Sequence, residues 1–112
     1  MRRGDVVLIR LAPARGSEQS GIRPAVIIQN DIANRFSPTT IIAPITSRRF
    51  SKEFPTNVNL SRADSKLKKD STALLNQITT IDKSRIIKRI SALSADIMKK
   101  IDLAIKASLD LD

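Results

Sequence analysis

The chain has 112 residues and contains neither histidine nor cysteine, and its 20 lysines and arginines against 11 acidic residues give a formal net charge of +9. This length predicts one domain, residues 1–112. The missing residue types exclude disulfides, thiol chemistry and any catalytic triad that uses histidine or cysteine. No apolar run predicts a membrane span, no signal-peptide pattern opens the chain, and no acidic cluster has metal-site spacing. We therefore expect a cytoplasmic protein without metal or cofactor.

The first half of the chain predicts β structure. Runs rich in β-branched residues, bounded by glycine, proline or polar segments, predict strands at Asp5–Leu11, Pro24–Gln29, Thr39–Thr46 and Thr56–Leu60. Residues 12–22 form a predicted loop, and a helical turn is expected at Asp31–Asn34. Because proline cannot donate to a strand ladder, Pro44 inside the third strand predicts an edge or a bulge.

Positive charge is concentrated between residues 47 and 69. Seven basic residues stand there against two acidic ones, and the basic ones are Arg48, Arg49, Lys52, Arg62, Lys66, Lys68 and Lys69. Such a patch favours a polyanionic partner, because basic side chains release counterions from nucleic acid. With three phenylalanines as the only aromatic residues, nucleic-acid binding must rest on backbone charge and polar contacts rather than on an aromatic platform.

The second half predicts more strands and one secure helix. After a charged, irregular segment at 61–69, short strands are predicted at Ser71–Leu75, Ile78–Ile81 and Arg85–Leu93. Ser94 is a favourable N-cap, and the residues after it recur at helical spacing: Ile97, Ile101, Ala104, Ile105 and Ser108. The whole pattern predicts a small antiparallel β-barrel or sandwich closed by a C-terminal helix.

The segment from Gly16 to Pro24, G-S-E-Q-S-G-I-R-P, gathers the unusual residues of the chain. Its glycines do not match the phosphate-binding loop pattern, which requires lysine and a hydroxyl residue after the second glycine. Taken alone, Arg23 is as readily a structural partner of Glu18 or Asp5 as a functional residue. Thr46, at the end of the third strand, is more readily an ordinary strand residue.

Taken together, several short segments carry a resemblance to a known family. They are G-D-V at 4–6, the loop at 16–24, V-I-I-Q-N-D at 26–31, N-R-F-S-P-T at 34–39, I-T at 45–46 and Q-I-T-T-I-D at 77–82. The chain resembles, over nearly its whole length, the MazF/PemK endoribonuclease toxins of bacterial toxin–antitoxin systems. Many relatives carry a basic residue where this chain has Thr79.

The resemblance implies an SH3-like antiparallel barrel with a C-terminal helix, a homodimer, and a cognate antitoxin protein that inhibits the toxin. It also implies metal-independent, sequence-specific cleavage of single-stranded mRNA, which arrests growth. By position, the catalytic residues fall on Arg23 and Thr46. The resemblance also places a loop that selects the RNA sequence, the specificity loop, at Ala14–Gly21. The expected substrate-binding residues come from this loop, the basic patch and the T-I-D segment: Arg15, Ser17, Glu18, Gln19, Arg48, Arg49 and Gln77.

The chemistry of RNA cleavage is compatible with these residue types. RNA supplies its own nucleophile, the 2′-hydroxyl, so the protein has to orient that group and stabilise charge on the phosphoryl oxygens. Arg23 can donate two parallel hydrogen bonds to phosphate, and Thr46 a third. Because a guanidinium stays protonated, Arg23 is a poor base and is expected to stabilise charge and to give a proton to the leaving 5′-oxygen. Glu18 is the candidate base that takes the proton of the 2′-hydroxyl.

Two other functions remain open at this point. One is a non-enzymatic toxin of the same barrel class that poisons DNA gyrase by protein contact, which has no need of an Arg23–Thr46 pair. The other is a basic RNA-binding module without catalytic activity, which would retain RNA in a salt-sensitive way but release no fragments.

Overall fold

A computed structural model describes residues 1–11, 15–16, 21–48, 50 and 52–112. Within these residues the strands are β1 (Asp5–Leu11), β2 (Gly21–Ile27), β3 (Thr39–Thr46), β4 (Asn57–Leu60), β5 (Ser71–Leu74), β6 (Thr79–Asp82) and β7 (Ile86–Ala92). The α-helices are α1 (Asp31–Phe36), α2 (Arg62–Ser65) and α3 (Ala95–Leu109), and two short 3₁₀ turns span Leu75–Gln77 and Lys83–Arg85.

The strands pair antiparallel in the order β4-β5-β3-β2-β1-β7, and β6 also pairs with β3. Strands β5 and β6 thus share one edge of β3, and the 3₁₀ turn at Leu75–Gln77 separates them. Since Ile42 pairs with Thr79 and Ile45 with Ala73, this interruption falls opposite Pro44. Pro44 predicts an irregularity, and the structure shows it as the break between β5 and β6. A strand residue at this break would have had no N–H of Pro44 to accept.

Side-chain alternation along the central strands builds a core on each face of the sheet. Val6, Val26 and Ala43 belong to the larger cluster, which continues into β4, β5 and the buried face of α3. Their neighbours Val7, Ile27 and Ile42 point to the other face and form a smaller cluster. The predicted fold class, an antiparallel barrel-like sheet with a C-terminal helix, is confirmed.

Helix α3 begins and packs as the sequence predicts. The Ser94 hydroxyl accepts the N–H of Ile97 at 3.3 Å, and Asp96 lies in the first turn, where it complements the helix dipole. Ile97, Ile101 and Ala104 are buried against the larger cluster. Among the described residues, no helix combines the length and the apolar character that crossing a membrane requires.

Both predicted ends of one strand are wrong, and one short helix was not predicted. Strand β2 begins at Gly21 rather than Pro24 and ends at Ile27 rather than Gln29. Pro24 is tolerated inside it because β3 pairs with β2 only from Ala25 onward, so one edge of residues 21–24 has no ladder partner among the described strands. The segment predicted to be irregular contains α2, which the Ser61 hydroxyl caps by accepting the N–H of Asp64 at 3.1 Å. The other predicted strand ends differ from the structure by one residue or not at all.

A buried polar network explains part of the Q-N-D and N-R-F-S-P-T segments. The side-chain oxygen of Asn34 accepts hydrogen bonds from the Thr40 hydroxyl at 2.7 Å and from the Gln29 amide at 3.1 Å. The Asn34 amide donates to the main-chain carbonyl of Gln29 at 2.8 Å. All three residues are buried. Since these buried side chains hydrogen-bond to one another, they fix α1 against β3 and have a structural role.

Candidate active site

Arg23 lies inside a strand, not in a loop before one. It is the third residue of β2 and pairs with Ile9 of β1, and its side chain is half-buried. Asp5 is one of the two acidic partners considered for Arg23. It lies four residues before Ile9 on β1, and its carboxylate forms an ion pair with the Arg89 guanidinium at 3.2 Å. The other, Glu18, lies outside the described residues. The strand therefore holds Arg23 at a fixed position on one face of the sheet.

Register places Thr46 on the same face as Arg23. The β2–β3 ladder ends at the pair Ala25–Pro44, and Arg23 and Thr46 each lie two residues further in the same antiparallel register. Because side chains alternate with a period of two, both continue the face that carries Ala25. The two residues that the family resemblance assigns to catalysis therefore lie on the same face of neighbouring strands, just beyond the last paired residues.

The same cross-strand line continues through two further strands. Thr46 pairs with Thr72 of β5, and Thr72 pairs with Asn59 of β4. The Thr72 hydroxyl donates to the Asn59 side-chain oxygen at 3.2 Å. Arg23, Thr46, Thr72 and Asn59 thus form a row of polar side chains on one face, called here the polar row.

Thr46 is held in a conformation that suits a hydrogen-bond donor. It is only 5% exposed, and its hydroxyl oxygen accepts the backbone N–H of Arg48 at 3.1 Å. A hydroxyl that accepts one hydrogen bond keeps its own hydrogen to donate. The turn after β3 therefore orients the Thr46 oxygen and leaves its O–H available to donate a further hydrogen bond.

Basic residues surround this end of the sheet. A cleft of about 310 Å³ is lined by Ser47, Arg62, Lys68, Lys69 and Asp70, and the N–H of Arg62 donates to the Asp70 carboxylate at 2.9 Å. All five are exposed. This arrangement presents three cations beside the residue that follows Thr46, as an extended phosphate backbone requires.

The other predicted site residues have different outcomes. Ser17, Glu18, Gln19 and Arg49 lie outside the described residues. Arg15 is exposed and precedes Gly16, whose φ of +57° is left-handed. Gln77 is half-buried in the 3₁₀ turn that lies along β3. Arg48 is exposed, and its N–H binds Thr46 directly.

Two carboxyl groups outside the polar row have pKa values below their ordinary value of 3.8. The pKa of Asp31 is lowered first by the backbone N–H of Arg3, at 2.7 Å, and then by the Asn34 side chain. The pKa of Asp82 is lowered by the hydroxyl and then by the N–H of Ser84. The Asp31 contact ties the N-terminal segment to the start of α1, whereas the Asp82 contact is a local cap of the 3₁₀ turn. In the part of the chain that the structure describes, no three His, Cys, Asp or Glu side chains are grouped to hold a metal ion.

Sequence reasoning missed the far half of the polar row. The alternating T-N-V-N-L pattern predicted that Asn59 is exposed on its strand, but nothing local indicates that β4 pairs with β5. Thr72 and Asn59 are 13 residues apart, and the charged segment between them folds into α2. Their juxtaposition depends on non-local pairing, which only the structure supplies.

The antiparallel, barrel-like sheet with its C-terminal helix, together with the basic charge, defines a small basic β protein of the toxin-like barrel class. Residues 2–109 match the family model described as PemK-like, MazF-like toxin of type II toxin–antitoxin system. The chain belongs to this family.

Individual relatives agree. The chain is 51% identical to the endoribonuclease MazF of Staphylococcus saprophyticus subsp. saprophyticus over 111 residues, which is 99% of this chain and 92% of that protein. A mycobacterial endoribonuclease solved in complex with its cognate antitoxin superposes with a TM-score of 0.84 at 23% identity, covering 100% of this chain and 97% of that one. MazF from Deinococcus radiodurans gives 0.81 at 24% identity, with 99% and 97% covered. At these identities the two solved structures show the shared fold.

Proposed function

We propose that this chain is the endoribonuclease toxin of a type II toxin–antitoxin system, and that it cleaves single-stranded mRNA at a short sequence and so arrests growth. The observation that carries the proposal is that Arg23 and Thr46 lie on one face of neighbouring strands, and that Ser47, the residue after Thr46, lines a basic cleft. The relative at 51% identity, which bears the name endoribonuclease, supports the same activity.

In the proposed reaction the RNA 2′-oxygen attacks the adjacent phosphorus. The bond from phosphorus to the 5′-oxygen of the next nucleotide breaks, leaving a 2′,3′-cyclic phosphate and a 5′-hydroxyl end. Glu18 takes the proton of the 2′-hydroxyl, Arg23 gives a proton to the leaving 5′-oxygen, and proton exchange with solvent then restores both side chains. Arg23 donates two parallel hydrogen bonds to the phosphoryl oxygens and stabilises the charge that develops there, and Thr46 donates a third. No step requires a metal ion.

The neighbouring residues bind the substrate chain. Arg62, Lys68 and Lys69 contact phosphates on one side of the cleaved bond, because they line the cleft next to Ser47. The proposal assigns selection of the RNA sequence to five further residues: Arg15, Ser17, Gln19, Arg49 and Gln77. Preorganised strands hold the reacting phosphate in line with the attacking oxygen, which is the main source of rate in a reaction without a protein nucleophile.

The proposal includes a homodimer, a cognate antitoxin protein and a cytoplasmic site of action. Support for the antitoxin comes from the similar mycobacterial structure, which was solved with its own antitoxin bound. Exposed apolar side chains such as Ile32 and Phe36, at 77% and 75% exposure, are available for protein contacts. Light scattering of the purified protein, alone and after mixing with its antitoxin, tests both associations.

The experiment that tests the activity is incubation of the purified protein with a long single-stranded RNA in EDTA, followed by sequencing of the new 5′-hydroxyl ends. We expect a few recurrent cleavage sites with a common short sequence. Salt-sensitive RNA binding without fragments would instead identify a non-catalytic RNA-binding module. Neither binding nor fragments, with inhibition of purified gyrase, would identify the gyrase-poisoning class.

A further inference from the structure

A second pocket adjoins the far end of the polar row. It has a volume of about 320 Å³, and the residues that line it include Arg48, Phe50, Asn59, Asp70 and Thr72. This volume is at the low end of the range for small-molecule sites, about 300–1,000 Å³, so the pocket suits one planar group rather than a stretch of chain. Because Thr72 pairs with Thr46, the pocket lies one strand away from the proposed cleavage site.

On the polar floor of the pocket, Thr72 orients the side-chain amide of Asn59. Thr72 is 5% exposed and donates its hydroxyl hydrogen to the Asn59 oxygen at 3.2 Å, while Asn59 itself is exposed. An amide oxygen has a second lone pair, and the amide nitrogen has two hydrogens. Asn59 therefore presents an oriented acceptor and donor side by side at the mouth of the pocket.

One wall of the pocket is aromatic and cationic. The Arg48 guanidinium carbon lies 5.1 Å from the centre of the Phe50 ring, and Phe54 packs edge-on against that ring at 6.2 Å. Phe54 does not line this pocket, and together with Phe50 it lines a neighbouring one. Aromatic and guanidinium planes are the surfaces on which single-stranded nucleic acids stack their bases.

We propose that this pocket binds one nucleobase of the RNA near the cleaved phosphate, and that Asn59 selects adenine there. Adenine places a donor, its N6 amino group, beside an acceptor, N7, which is the pattern an asparagine amide matches in two parallel hydrogen bonds. Thr72 is the positioning residue that keeps the amide turned toward the base. The inference rests on the proposed function, since it requires an RNA substrate.

The test measures base preference apart from cleavage. Wild-type protein is incubated with a randomised pool of 2′-fluoro RNA, which lacks the nucleophilic hydroxyl, and the retained sequences are compared with those retained by Asn59→Asp. The control is Asn57→Asp, which makes the same charge change two residues along β4, outside the pocket. In parallel, the cleavage sites of all three proteins on natural RNA are mapped.

We expect wild type and Asn57→Asp to enrich adenine at one position, and Asn59→Asp to lose that enrichment by about 5- to 150-fold, the range for one bidentate base contact. Thr72→Val should weaken it in the same direction. Unchanged preference in Asn59→Asp, or an Asn59-dependent preference for another base, would overturn the proposal. If the wild type enriches adenine but does not cleave natural RNA, the proposed nuclease function fails and the pocket proposal stands.

Discussion

Replacing Thr46 by valine separates the structural role of this residue from its proposed catalytic one. Valine has nearly the same shape and favours strands, so the packing of the last residue of β3 is retained. The substitution removes only the hydroxyl, which accepts the N–H of Arg48 at 3.1 Å and is proposed to donate to phosphate. If Thr46 has only a structural role, the substitution should cost a little stability and no cleavage rate; if Thr46 is catalytic, the cleavage rate should fall sharply.

The two losses differ greatly in size. Arg48 is exposed, so water replaces the lost acceptor and the free energy of unfolding should fall by about 0.5–1 kcal/mol, the low part of the range for one hydrogen bond. That corresponds to a decrease in Tm of about 2–4 °C for a domain of this size. Removing one preorganised donor to a developing charge costs about 10²- to 10³-fold in kcat.

Single-turnover cleavage of an RNA oligonucleotide that carries the mapped site measures the rate, and thermal unfolding followed by circular dichroism measures stability. Thr46→Ser is the matched control, because it restores the hydroxyl without the methyl group and should cleave within about tenfold of wild type. If Thr46→Val cleaves as fast as Thr46→Ser while remaining folded, Thr46 is a strand residue and the reasoning from register to catalysis is refuted.

Three further predictions concern the fold and the cleft. Asn34→Ala should lower the free energy of unfolding by about 3 kcal/mol, because it leaves buried partners unsatisfied; urea unfolding measures this, and exposed Asn76→Ala should stay within about 0.5 kcal/mol of wild type. Asp31→Asn should be most destabilising near neutral pH. Because the pKa of Asp31 is lowered, its charged form stabilises the fold at pH values above its ordinary pKa of 3.8, and this contribution is lost as the pH falls through the folded-state pKa. The urea midpoints of wild type and Asp31→Asn should therefore differ less at pH 3 than at pH 7. An equal difference at the two pH values would contradict the assignment. Lys68→Gln should reduce the slope of log binding constant against log salt for single-stranded RNA by about 0.7, whereas Lys99→Gln on α3 should leave it unchanged; equal slopes for both variants would show that the cleft does not contact phosphate.

Sequence alone predicted the elements whose signals are local. Strands β1 and β3 have the predicted bounds because β-branched runs are bracketed by glycine, proline and polar residues. Helix α3 begins where Ser94 caps it, since cap and periodicity lie within a few residues of each other. The start of β2 was mislocated because, among the described strands, β3 pairs with β2 from Ala25 onward while residues 21–24 pair with β1, and because Ile22 is 52% exposed. Buried and exposed residues do not alternate along residues 21–24, so the sequence lacks the pattern that would have indicated a strand there.

The candidate site was predicted in part, and for a different reason. Arg23 and Thr46 were singled out by family resemblance, and their local sequence equally permitted structural roles. The structure adds the register that places them on one face and extends that face to Thr72 and Asn59. Such juxtapositions depend on which strands pair, and pairing between distant segments leaves no periodicity in either of them.

The most direct test of the central claim, that Arg23 acts on the scissile phosphate, compares single-turnover RNA cleavage by wild type, Arg23→Ala and Arg23→Lys. Arg10→Ala is the control, since Arg10 is an exposed arginine next to Ile9 on β1 and points to the opposite face. We predict that Arg23→Ala lowers the cleavage rate at least about 10³-fold, and that lysine, which lacks the paired donors, restores little of it. Thermal unfolding should show that both variants remain folded, and Arg10→Ala should cleave as wild type does. Cleavage by folded Arg23→Ala at the wild-type rate and at the same sites would contradict the account.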